Sequence, residues 1–106
     1  YLLSCCLWAV PCQTDRQIFI ENTEVKVWRT TICPKELLGF HTHIHSRILI
    51  PLSNGRLKVI YRSGRSEMMS LHQQVPIFLD EKQGREEHQD LNLGVKPLNL
   101  IVVELR

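Results

Sequence analysis

The strongest constraint on the fold is the way the chain is punctuated. From Gln17 onward it breaks into short runs rich in β-branched and aromatic residues, each bounded by turn formers, and no stretch is long and 3.6-periodic enough to demand a helix. The runs read as strands over 17–20, 24–32, 40–43, 47–52, 56–61, 66–71, 75–79, 87–93 and 98–105, which makes the chain all-β. Asn22-Thr23, Ser53-Asn54-Gly55 and Ser63-Gly64 supply turns. Asn54-Gly55 is the strongest of them, since both residues tolerate positive φ in a tight hairpin, so 47–71 reads as a three-stranded meander. In 24–32, Val25 and Val27 share one face while Lys26, Trp28 and Ile32 share the other. Apolar residues on both faces suit a closed or double-layered barrel better than a single sheet with one wet side. Cys33-Pro34 ends that strand, 34–38 connects it to Gly39, and Pro76 belongs at a strand start or on an edge, because proline cannot donate to a ladder.

A length of 106 residues fits one domain with one core. It divides into an arm or strand over 1–16 and the barrel over 17–106. With 43% apolar and 23% charged residues a packed core is feasible. The formal charge of +2 is spread among interspersed acids and bases, which gives no field for a phosphate backbone and argues against a nucleic-acid partner. Arg56, Arg62 and Arg65 read as a solvated hairpin. The cysteines Cys5, Cys6, Cys12 and Cys33 lack the paired spacing of a structural zinc site. They are expected as reduced, buried thiols, and with them a cytoplasmic location.

The opening run YLLSCCLWAV is apolar and aromatic, with features of a signal peptide's hydrophobic part. No basic residue precedes it, and it is too short to span a bilayer. Leu2-Leu3-Ser4-Cys5 resembles a lipoprotein processing box. The favoured reading is an arm that covers the barrel or pairs with a second subunit, giving a homodimer with no membrane association.

The chemistry-bearing segment is Gly39-Phe40-His41-Thr42-His43-Ile44-His45-Ser46-Arg47. In an extended strand side chains two apart share a face, so His41 and His43, with His45 if the strand runs on, converge on one side. Neutral imidazole is a good ligand for Fe, Zn, Mn or Ni. Toward the C-terminus come a glycine turn at Gly84, then His88, Asn92, a second turn at Gly94, and an apolar closing strand over 98–105. No serine or cysteine nucleophile stands out, since Ser46 has no accompanying oxyanion-hole pattern. His72 lies near a turn and reads as a surface residue.

These two segments resemble the paired motifs of the cupin superfamily, glycine and His-x-His in the first, glycine, histidine and asparagine in the second. His41, His43 and Gly55 look like the first; Gly84, His88 and Asn92 look like the second. Small single-domain cupins, including some associated with β-alanine degradation, are similar across most of the chain. The resemblance implies a double-stranded β-helix, or jelly-roll barrel, with a divalent transition metal on His41, His43 and His88. Where the family places a glutamate ligand this chain has Arg47 or Ile48, neither of which binds a cation. A three-histidine face then remains, with His45 as a possible additional ligand. Arg47 faces the pocket and holds a small carboxylate if strand parity persists. It is an exposed charge if the strand bends after His45, and the frequency of bulges at barrel rims favours that outward reading. Two function classes follow: a metal-dependent enzyme acting on a small organic molecule, and a non-catalytic small-anion-binding cupin that has lost its metal.

Overall fold

The computed structural model describes residues 11–106. The arm expected over 1–10, with Cys5 and Cys6, lies outside the described residues. Nine strands and one helical turn follow in the order β1 (Asp15–Glu21), β2 (Val25–Ile32), β3 (Leu37–His41), β4 (Arg47–Pro51), β5 (Gly55–Tyr61), β6 (Ser66–Leu71), β7 (Ile77–Leu79), α1 (Glu81–Arg85), β8 (His88–Asn92) and β9 (Leu98–Leu105). They form two antiparallel sheets, ordered β1-β2-β9-β4-β7 and β3-β8-β5-β6.

Period-two patterning decides which side of each strand meets the other sheet. In β2 the inward residues are Trp28, Thr30 and Ile32, in β4 Arg47, Leu49 and Pro51, in β5 Leu57, Val59 and Tyr61, and in β9 Leu98, Leu100 and Val102. Ile32, Leu98 and Leu100 from one sheet pack with Leu57, Val59, Tyr61 and Leu71 from the other. Trp28, Leu49 and Val102 form a second cluster. Each such side chain withdrawn from water contributes roughly 1.5–3 kcal/mol before the entropy of ordering it is set against the gain.

Four expectations are corrected. The 47–71 meander is broken, because β4 pairs with β7 and β9 while β5 pairs with β6 and β8 in the other sheet. Asn54-Gly55 is therefore the crossing between layers, not a hairpin. Positive φ occurs at Gly64, Lys35 and Gln74 instead. At Gly55 the reason for glycine is close approach, since a Cβ there would lie 2.2 Å from Leu98 Cδ2 and that side chain would have to shift. Second, a helix does occur. Asp80 caps α1 by accepting from the Lys82 and Gln83 amides at 3.1 Å, and five residues are too few for a helical period to be visible. Third, β3 ends at His41, so the strand expected over 40–43 stops short of His43. Fourth, Cys12 and Cys33 are joined in a disulfide with a Cα separation of 5.8 Å. Reduced thiols are the default for a chain read as cytosolic, but a bridge depends on distance in space, and β1 returning along β2 supplies it. The cytoplasmic reading loses the support that free thiols gave it, because disulfides persist mainly in oxidising compartments. Among the described residues no helix is long and apolar enough to cross a membrane.

Candidate metal centre and its pocket

β8 lies between β3 and β5, and this one placement joins the two histidine motifs. His88 stands opposite Tyr61 on β5 and opposite His41 on β3. His43 arrives differently. Beyond His41 the chain leaves β-structure, and the His43 amide donates to the Gly84 carbonyl at 2.8 Å, which turns the His43 ring inward. The ring lies nearly parallel to Trp28, with centroids 6.3 Å apart. The His41 ring is 5.0 Å from that of His43 and 4.4 Å from that of His88. One donor nitrogen from each of the three lies within 4.8 Å of the others, so the group could hold a metal ion. His45 sits at a bend, half-buried, outside this group, and His72 is exposed.

The protonation pattern suits a cation. The His41 Nδ1 lies 2.7 Å from the Gly39 carbonyl and the His88 Nδ1 lies 2.9 Å from the Glu86 carbonyl. A carbonyl only accepts, so each Nδ1 is the donor and Nε2 is the nitrogen left for a ligand bond, an arrangement typical of metal-binding histidines. His43 is held neutral, its pKa pushed down to about 2 by burial first and then by Arg47 and the neighbouring histidines. Burial also lowers His88. Neutral rings are the form that coordinates.

Asp90 went unrecognised in the sequence, where it reads only as a strand residue. Its Oδ2 is 3.2 Å from the His41 Nε2. Since His41 Nδ1 is already a donor, carboxylate and imidazole lone pairs face each other there unless a cation, proton or metal ion, stands between them. The available signal was parity: Asp90 is two residues after His88 and therefore shares its face.

Arg47 is inward, against the expected outward reading, and only 3% exposed. That expectation rests on a bend after His45 that turns the following side chain out. The chain instead re-enters β-structure at Arg47, and the orientation is set afresh by the pairing of β4 with β9, which turns Leu49 and Pro51 the same way. The Arg47 Nη2 donates to the Gln83 side-chain oxygen. Arg16, on an edge strand and outside the range expected for it, lays its guanidinium 4.4 Å from the Trp28 ring centre at the pocket. The pocket is open at its mouth, with Leu57, Val59, Met69 and Leu100 as apolar wall and the histidines, Arg47, Gln83 and Asp90 as polar groups.

Away from the pocket, Arg62 pairs with Glu87, and Arg65 with Glu67 and Glu86, so the arginines of that hairpin end are spent on exposed ion pairs. Asn92, the second motif's asparagine, is structural: its Nδ2 donates to the Ile32 and Lys96 carbonyls and its Oδ1 accepts from the Gly94 amide.

No protein-family model matches the chain, and no curated protein matches it at a significant level. Solved structures do. A cupin domain from Bordetella pertussis Tohama I superposes with a TM-score of 0.77 at 23% identity, covering 87% of this chain and 92% of that one. The chain has the cupin fold. A double-stranded β-helix protein from Klebsiella pneumoniae is similar at TM-score 0.65 and 16% identity, over 86% of this chain and 75% of that one. An RmlC-like cupin from Methanocaldococcus jannaschii is similar at 0.68 and 10%, over 90% and 82%. At these identities the likeness is one of fold, and nothing in it bears on β-alanine degradation. Within this barrel the histidines of both segments meet in the interior, and the Arg47 guanidinium lines the same pocket.

Proposed function

We propose that this cupin is a metal-dependent enzyme acting on a small organic molecule, with a divalent transition metal (Fe, Zn, Mn or Ni) held by His41, His43 and His88. The carrying observation is the convergence of the three rings, two of them with Nδ1 committed to a main-chain carbonyl. When bound, such an ion supplies Lewis acidity or an oxygen-activating centre. The protein's own residues do the rest: three imidazole ligands leave coordination positions open, the Asp90 carboxylate stands at the edge of His41, and apolar side chains form the wall beside the site.

Protein purified without a histidine tag and reconstituted should carry close to one equivalent of metal by elemental analysis. Less than about a tenth of an equivalent, judged against ordinary site affinities, would sink the reading. Replacing His88 with alanine should weaken metal binding by at least about a hundredfold, because it deletes a ligand outright. The specific observation favouring the alternative, a non-catalytic anion-binding cupin, is that a proton alone satisfies the His41–Asp90 contact. In that case the wild type and His88→Ala would be equally indifferent to metal.

A further inference from the structure

Among the described residues Arg47 is the buried charge in the pocket with no ion-pair partner. It is only 3% exposed, and guanidinium does not give up its proton in proteins. Among the described residues no carboxylate lies within ion-pair distance of it. Glu104 stands opposite Arg47 across the β4–β9 ladder but turns to Arg106 at 3.0 Å, and Asp90 turns to His41. What Arg47 has is one neutral acceptor, Gln83, while its Nη1 is buried without any hydrogen-bond partner and packs toward Gly84. A buried charge left in that state is destabilising, and an anion from outside the chain would relieve it.

The completing group must be anionic and small enough for the barrel. It must also be apolar behind its charge, because the same pocket is walled by Leu57, Val59, Met69 and Leu100. We infer that the pocket takes a small carboxylate with an apolar body, whose carboxylate displaces Gln83 from Arg47 and supplies the acceptors that the guanidinium lacks. A planar carboxylate fits the planar fork of arginine, and Gln83 now offers it only one carbonyl oxygen. This deepens the functional reading above and rests on the same pocket, yet it requires no metal.

Hexanoate is the probe, with hexanamide as the neutral shape control and inorganic phosphate as the competing anion. Binding is measured calorimetrically on chelator-treated and on metal-reconstituted protein, with metal content read separately. Hexanoate should bind the chelator-treated wild type at least about tenfold more tightly than hexanamide or phosphate, and Arg47→Met should lose that preference. Ligand-free Arg47→Met should keep or raise its melting temperature, since an unpaired buried charge has been exchanged for an apolar group of similar length. Equal affinity for hexanoate and hexanamide, preference for phosphate, undiminished hexanoate binding by Arg47→Met, or a sharply lowered melting temperature of that variant would each overturn the inference. Hexanoate binding without metal uptake would leave it standing while sinking the metal-enzyme reading, and metal uptake without hexanoate binding would do the reverse.

Discussion

Asn92 shows how a residue that resembles part of a functional motif can serve the fold alone. It is 0% exposed, and its side-chain amide bonds reach β2, the turn after β8, and Gly94. Replacing it with alanine removes three hydrogen bonds and strands two carbonyls and one amide. Asn92→Ala should therefore cost roughly 3 kcal/mol of stability, read by denaturant unfolding. If that variant were as stable as wild type, the asparagine would have to be reassigned to the site. Residue identity was easy to read in the sequence, and so was the chemistry of His41, His43 and His88. Direction was not. Arg47 was expected outward on a local argument about bending, and a ladder partner almost sixty positions away, Glu104, settles it inward.

At the level of elements, the short helix α1 has an influence out of proportion to its five residues. Gly84 lets it press against the segment carrying His43, where a Cβ would come within 2.6 Å of His43 Cβ and 3.0 Å of the His43 carbonyl oxygen. Neither backbone nor Cβ can move aside cheaply. Gly84→Ala should push the two apart, weakening the bond from the His43 amide to the Gly84 carbonyl and lowering metal affinity by about tenfold, with roughly 1–3 kcal/mol lost from folding. Metal titration and thermal unfolding check both. Gly39→Ala is the control, since nothing lies within 4 Å of its Cβ position, and it should change neither. The glycine was legible as part of a motif but was read as a turn residue. The real reason for it, close packing, exists only once α1 and the His43 segment are neighbours.

On the scale of the whole molecule, β1 stands apart. Among the described residues it is an edge strand, all seven of its residues are exposed, and Ile18, Phe19 and Ile20 are each about half exposed. Exposed apolar edges invite pairing, so we expect a homodimer through β1. Light scattering should give twice the chain mass, and Ile18→Lys combined with Ile20→Lys should halve it; a wild type at the monomer mass ends the idea. Period-two alternation and turn residues, both local, determined that the chain is all-β and placed the strands within a few positions of where they lie. Motif spacing likewise marked out the three histidines. Which sheet each strand joins, the disulfide between Cys12 and Cys33, the partnership of Asp90 with His41 and the burial of Arg47 were decided only by tertiary structure. The physical reason is common to all four: each depends on pairing between segments far apart in the chain, and local pattern says which face of a strand is buried but not what stands opposite it.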